Sequence, residues 1–338
     1  MPALPANSLI VVTGVTGYIA SHIAFAALKD GHRVRGTVRS LASTEEVRAG
    51  FVSHGADVSK LSFIVVDDFL SESQLAAAVD GADGVVQVVV PGGVPGTTDG
   101  APQEAIDWAH ALLRVSAAQP SVKRFVITSS AFATHLPIPG FMQDRVTDKT
   151  WNDAVVQIFQ NPPPEMDKEG VAWTGIRYAS TKTLSERAVW AWAEQNKPKF
   201  DVVSILPDAN FGPVLYGGPK STNAWIPAIL TNQAAFTNGY PPQWFVDVRD
   251  TGRLHIKALT EPQFGGQRIL AASEPYGWNL IFSLLRKNFP KAQVPEDLPA
   301  PLGGLATYVM ENEVGGKALG GWIGLEQSLI DTGKACGF

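Results

Sequence analysis

The sequence predicts a doubly wound α/β fold, in which a parallel sheet is covered by helices on both faces. Three observations carry that expectation. Short runs rich in β-branched residues alternate with helix-forming stretches through the first two thirds of the chain. The runs are apolar throughout rather than at every second residue, as in strands buried on both faces. The chemically distinctive strings gather near the ends of these runs, where such sheets bind their ligands.

The elements follow in order. Ser8–Thr13 reads as the first strand and Tyr18–Lys29 as a helix. Asp30-Gly31-His32 turns the chain into a second strand, Arg33–Val38. Leu61–Val66, Gly84–Val90 and Arg124–Thr128 read as the third, fourth and fifth strands, with a helical segment over Phe69–Val79. Phe200–Leu206 reads as the sixth, after a helix that carries Tyr178. The stretch between Ser130 and Tyr178 contains Pro137, Pro139 and Pro162-Pro163-Pro164 and reads as a surface excursion. After Pro207, paired glycines and prolines become frequent, a texture that suits a lid over a cleft better than an independent core.

Bulk properties exclude several classes. The chain has 338 residues, a net charge of −5 and 45% hydrophobic residues, an ordinary globular composition. That charge gives no reason to expect nucleic acid or an anionic membrane as partner. The single cysteine, Cys336, forms no internal disulfide and suits a reducing compartment. The N-terminus reads as no signal peptide and no run approaches 18 apolar residues, so a cytoplasmic protein is expected. The six histidines are scattered, so no metal site is expected.

Leu9-Ile-Val-Val-Thr13-Gly14-Val-Thr-Gly17-Tyr18-Ile19-Ala20 reads as strand, tight turn and helix. Gly14 permits the sharp turn, and Gly17 lets the helix N-terminus approach a pyrophosphate. Thr13, Tyr18 and Ile19 complete the candidate dinucleotide site. About 20 residues on, an NAD site would place an acid to bind the ribose 2′-hydroxyl. Here the strand end reads Val34-Arg35-Gly36-Thr37-Val38-Arg39-Ser40, with no acid. An arginine there suits a 2′-phosphate. Arg39 is the first candidate and Arg35 the second, so the cofactor expected is NADPH/NADP+. Asp68 would accept a hydrogen bond from the adenine amino group or cap the helix that follows it.

Tyr178-Ala-Ser-Thr-Lys182 places a phenol and an ammonium one helical turn apart, and Thr128-Ser129-Ser130 ends an apolar run upstream. A tyrosine pKa of about 10 must fall by roughly 3 units for the phenolate to act near neutrality, and a neighbouring cation favours that. Tyr216-Gly-Gly-Pro-Lys220 has the same spacing, but its glycines and proline cannot hold a helix, so the two side chains have no reason to face one way.

These strings resemble the extended short-chain dehydrogenase/reductases, and within them the branch of dihydroflavonol reductases and fungal or yeast-type NADPH-dependent aldehyde and ketone (carbonyl) reductases. Val11–His22, Val34–Ser40, Val122–Ser130, Asp148–Asn152, Tyr178–Lys182, Leu206-Pro207 with Gly212-Pro213, and a strand Phe245–Asp250 follow in that family's order. The resemblance implies a Rossmann-type sheet with a smaller, loop-rich C-terminal substrate region, divided as 1–206 and 207–338. It implies Ser130, Tyr178 and Lys182 as the catalytic group, Ser129 on the nicotinamide side, and Pro207 and Asn210 near the carboxamide. Phe132, His135, Trp225, Tyr240, Pro241 and Gln243 would line the substrate pocket, although His135 would also suit solvent. His22 reads as a packing or surface residue. One string departs from the family: Gln87-Val-Val-Val-Pro91-Gly-Gly-Val-Pro95, where Pro91 supplies no N–H to a cofactor.

The expected activity is reduction of a small-molecule carbonyl compound, such as an aryl ketone or keto ester, by hydride transfer with Tyr178 as general acid. A nucleotide-sugar epimerase or dehydratase on the same scaffold, and a non-catalytic NADP(H)-sensing protein, are the alternatives. The sequence does not decide between monomer and homodimer.

Overall fold

Strand β1 (Leu9–Val12) is buried along its whole length, and the sheet is built around it. Its neighbours are β2 (Arg33–Val38) and β4 (Gly84–Gln87), with β3 (Leu61–Val65) beyond β2 and β5 (Arg124–Thr128) beyond β4. The computed structural model describes residues 4–91, 98–138 and 143–338. Past β5 come a short β6 (Arg145–Val146), β7 (Asp201–Pro207), β8 (Ala209–Phe211), β9 (Gln243–Asp247), β10 (Arg268–Ala271), β11 (Glu274–Tyr276) and β12 (Val309–Met310). The large sheet has seven strands in the order β10-β7-β5-β4-β1-β2-β3, and every pairing in it is parallel. This is the doubly wound order, with the strand sequence reversing at β1.

Side chains leave these strands alternately. Ile10 and Val12 pack on one face with Ile23 and Ala27 of α1 (Tyr18–Lys29) and with Leu254 and Ala258 of α8 (Val248–Thr260). Val11, Val85 and Phe125 pack on the other, against Leu112 of α4 (Ala101–Ala118) and Val189 of α6 (Val171–Asn196). Both faces are therefore dry, which explains why the strands read as continuous apolar runs.

The expected fourth strand is shorter than its apolar run. After Gln87 the N–H groups of Val88 and Val89 turn to the Thr13 hydroxyl, at 2.8 and 3.2 Å, instead of pairing along the sheet. The family-divergent string passes out of view here: Gly92–Pro95, like Pro139, lies outside the described residues. The Phe69–Val79 segment becomes helical only over α3 (Glu72–Val79), because the Asp68 carboxylate accepts the Leu70 N–H at 2.8 Å and closes a turn first. Phe245–Asp250 is a strand only to Asp247; the Asp247 carboxylate then accepts the Arg249 N–H at 2.8 Å and starts α8.

Strand β10 lies hidden in the Gly- and Pro-rich part of the sequence. It completes the large sheet from beyond residue 206, and α8 from the same region packs on α1. The rest of the C-terminal part builds its own aromatic core on a three-stranded sheet, β11-β9-β8, with α7 (Trp225–Leu230), α9 (Trp278–Asn288) and α11 (Leu325–Ala335). Among the described residues no helix is long and apolar enough to cross a membrane.

Asp247 joins these two regions. Fully buried, it caps α8, pairs with Arg249 at 2.7 Å, and Arg249 reaches Asp331 of α11 at 2.8 Å. Asp247→Ala should destabilise the protein by roughly 2–4 kcal/mol, because a cap is lost and a half-buried guanidinium loses its main partner. Urea unfolding checks this; an unchanged midpoint would mean the cap and the pair contribute nothing net.

Candidate active site

The glycine turn lies between β1 and α1. Gly14 has a φ of +63°, and a Cβ there would fall 2.1 Å from Val89 Cγ2, so only glycine fits. The Gly14 N–H donates to the Thr37 hydroxyl at 2.9 Å and the Gly17 N–H to the Gly14 carbonyl at 2.8 Å. Gly17 precedes α1 without a side-chain cap, and the first turn holds no acid. The N–H groups of Tyr18 and Ile19 therefore open onto a helix N-terminus suited to an anion. The side chains at Thr13 and Tyr18 face elsewhere, contrary to a direct role. The Thr13 hydroxyl holds Val88 and Val89, and the Tyr18 hydroxyl donates to the Gly212 carbonyl at 2.8 Å inside the protein.

The two arginines of β2 and its end separate clearly. Arg35 is occupied: its guanidinium donates to the carbonyls of Ala78 and Asp80 at 2.8 and 2.7 Å, satisfying the C-terminal end of α3. It is not available to a 2′-phosphate. Arg39, one residue past the strand, is exposed and makes no hydrogen bond or ion pair among the described residues. Asp68 serves the turn before α3 by the bond to Leu70.

Ser130, Tyr178 and Lys182 converge at the end of β5. The Ser130 hydroxyl oxygen accepts the Phe132 N–H at 3.2 Å, at the start of a single helical turn, and this bond aims the side chain. Tyr178 and Lys182 lie one turn apart on α6, and Tyr178 shares a cleft with Ser130. Lys182 Nζ donates to the Thr128 carbonyl at 3.0 Å and stands 6.0 Å from the centre of the Tyr178 ring. Asn152 steadies the serine loop, donating to the Phe132 carbonyl at 2.9 Å while capping α5 (Asp153–Gln160). Ser129 points away from this group, its hydroxyl donating to buried Glu186 at 2.7 Å.

The surroundings of Tyr178 shift its pKa upward, opposite to the expected direction. Burial raises its pKa, and the Asp208 charge adds to that, against the Ser130 hydroxyl. Burial lowers Lys182 to about 8, opposed by Glu186. The phenol therefore holds its proton at neutral pH.

Ser130 and Tyr178 open on a cleft of about 780 Å³. Phe132, Trp225, Tyr240, Pro241 and Gln243 line it together with Ser130 and Tyr178. His135 does not: it is fully buried, bonded to Thr134 at 3.0 Å and packed on Tyr308, and burial lowers its pKa to about 4. His22 is likewise a packing residue, bonded to the Pro213 carbonyl at 2.9 Å. Asn210 is tied inward, accepting from Thr251 at 2.6 Å and donating to the Asp208 carbonyl at 2.9 Å, and Pro207 pairs with Ala271 inside the sheet. Among the described residues no cluster of three metal-ligating side chains occurs.

A family model described as NAD(P)H-binding matches residues 14–199, more than half of the chain. The chain is 30% identical to aldehyde reductase 2 of Sporidiobolus salmonicolor, covering 97% of this chain and 96% of that protein. It is 31% identical to ketoreductase adrE of Penicillium roqueforti, covering 96% of each. The chain belongs to the extended short-chain dehydrogenase/reductases. Its fold is also that of yeast methylglyoxal/isovaleraldehyde reductase Gre2, with a TM-score of 0.79 at 20% identity over 97% of this chain and 98% of that one.

Two features of this family member escape a reading by motif. Asp208, directly after β7, lines the cleft. Tyr216 and Lys220, set aside for lack of a helix, do face one way: Lys220 Nζ stands 4.3 Å from the Tyr216 ring centre. The Tyr216 hydroxyl donates to the Val15 carbonyl at 3.1 Å and Lys220 to the Thr16 carbonyl at 3.4 Å. A loop closes them onto the glycine turn where the sequence shows no regular element. Lys220→Met should accordingly weaken dinucleotide binding by about tenfold, the scale of one charge-assisted hydrogen bond. A fluorescence titration measures it, and unchanged affinity would make the contact incidental.

Proposed function

We propose that this protein reduces aldehydes and ketones to alcohols with NADPH, using Ser130, Tyr178 and Lys182. The observation that carries the reading is the convergence of these three side chains beside an apolar cleft, in a chain that matches named aldehyde and keto reductases over nearly its whole length. The glycine turn fits a dinucleotide: its helix N-terminus is uncapped, β2 ends without an acid, and Arg39 stands free beside it. The N–H groups of Tyr18 and Ile19 would hold the pyrophosphate and Arg39 the 2′-phosphate. Residues 1–206 would then serve mainly the cofactor and 207–338 mainly the substrate.

When bound, NADPH supplies the hydride. Ser130 and Tyr178 hydrogen-bond the substrate oxygen, and Tyr178 gives it a proton as negative charge develops there. Burial, by raising the Tyr178 pKa, keeps that proton in place until it is needed. Lys182 then balances the phenolate one helical turn away. Aromatic walls from Phe132, Trp225 and Tyr240 exclude water and suit a bulky apolar carbonyl compound. Among the described residues no lysine or arginine lines the cleft to meet a sugar diphosphate, which weighs against an epimerase.

Tyr178→Phe tests the acid. Turnover of an aryl ketone should fall by about 10² or more while NADPH binding is kept; near-native turnover would remove Tyr178 from the reaction. Arg39→Asp tests the cofactor. It should weaken NADPH far more than NADH, since attraction to a dianion becomes repulsion. An unchanged affinity ratio would place the 2′-phosphate elsewhere.

A further inference from the structure

The reaction above leaves Asp208 without a role, although it shares the cleft with Ser130, Tyr178, Trp225, Tyr240 and Gln243. Its carboxyl is buried, and no cation among the described residues offsets its charge. It accepts the Ala209 N–H at 2.9 Å, while the Tyr308 hydroxyl stands at a long 3.5 Å. A carboxylate offers about four acceptor sites, so these partners leave capacity facing the cleft. A buried carboxylate short of donors is costly, and a ligand that brings a donor relieves that cost. Consistently, burial pushes its pKa up to about 7. Nor is the patch saturated around it: the buried Tyr276 hydroxyl, whose pKa the Asp208 charge helps to raise, has no hydrogen-bond partner among the described residues.

The cleft thus holds two kinds of polar group. Ser130 and Tyr178 are donors that match a carbonyl oxygen. Asp208 is an acceptor that a simple carbonyl compound leaves unmatched. We propose that Asp208 determines specificity by accepting a hydrogen bond from an O–H or N–H group elsewhere on the substrate, so that hydroxylated or amine-bearing carbonyl compounds are favoured. This rests on the carbonyl-reductase reading of the same cleft.

The test uses acetophenones carrying a hydroxymethyl, aminomethyl or methoxymethyl group on the ring, at the meta and para positions. With the wild-type protein and NADPH, kcat/KM for one or both donor compounds should exceed that of the ether by about tenfold or more. In Asp208→Asn the preference should shrink, and in Asp208→Ala it should fall to within about threefold. A preference for the amine alone would assign recognition to the carboxylate charge, and one shared by both donors to the hydrogen bond. Equal values in the wild type, or a preference that survives in Asp208→Ala, would overturn the proposal. Binding of the corresponding alcohols, read by tryptophan fluorescence, separates the two readings. A donor preference in binding without turnover of any ketone would sink the reductase reading and keep Asp208. Turnover with no donor preference would do the reverse.

Discussion

One buried ion pair holds the candidate site in register. Glu186, one turn beyond Lys182 on α6, is fully buried, and Arg268 of β10 meets it at 2.8 Å. The same carboxylate accepts from Ser129 at the end of β5 and from Trp190 at 3.3 Å. Arg268 in turn donates to the carbonyls of Asp148 and Thr150 and lies 3.7 Å over the Trp151 ring. A helix, two strands and the insertion before Asn152 are thereby fixed to one another at a single point. Such a pair adds little net stability compared with an apolar replacement, but losing one partner is costly, because the other charge stays buried. Its consequence is positional: the turn of α6 carrying Tyr178 and Lys182 cannot slide against the serine loop without breaking it.

The glycine turn is constrained in a comparable way, from both ends of the chain. Thr37 of β2 holds the Gly14 N–H, while Tyr216 and Lys220 reach the next two carbonyls from the C-terminal part. Tyr18, the first residue of α1, bonds Gly212 across the interior. A turn whose N–H groups must stay open toward an anion cannot be stiffened by its own caps. Here the stiffening comes through its carbonyls and its side chains, which leaves the N–H groups of Tyr18 and Ile19 exposed to a ligand.

Period and composition made the large sheet legible. Strands buried on both faces leave continuous apolar runs, and α1, β2 and β5 have the bounds their sequences suggest. Glycine and the Tyr178–Lys182 spacing marked the site for the same reason: each encodes a local geometry, a positive φ or one helical turn. What stayed hidden depends on partners distant in sequence. Nothing near Arg35 shows that the end of α3 will occupy it and leave Arg39 free. Nothing near Ser129 announces Glu186. The four residues of β10 form a strand because β7 offers them an edge, not because Arg268–Ala271 is distinctive alone. Tyr216 and Lys220 are the clearest case, since a loop without periodicity brings them together over the turn.

The electrostatics of the cleft have one source. Burial raises the pKa of Tyr178 and Asp208 and lowers that of Lys182, so all three groups move toward neutrality. A cleft in that condition favours holding a proton on the phenol over releasing it, which is the state a reduction requires at its start. A donor brought against Asp208 would favour its ionised form, and that charge raises the Tyr178 pKa further. Recognition at one wall of the cleft and proton retention at Tyr178 would then reinforce each other, through the same low-polarity surroundings that exclude water from the reacting atoms.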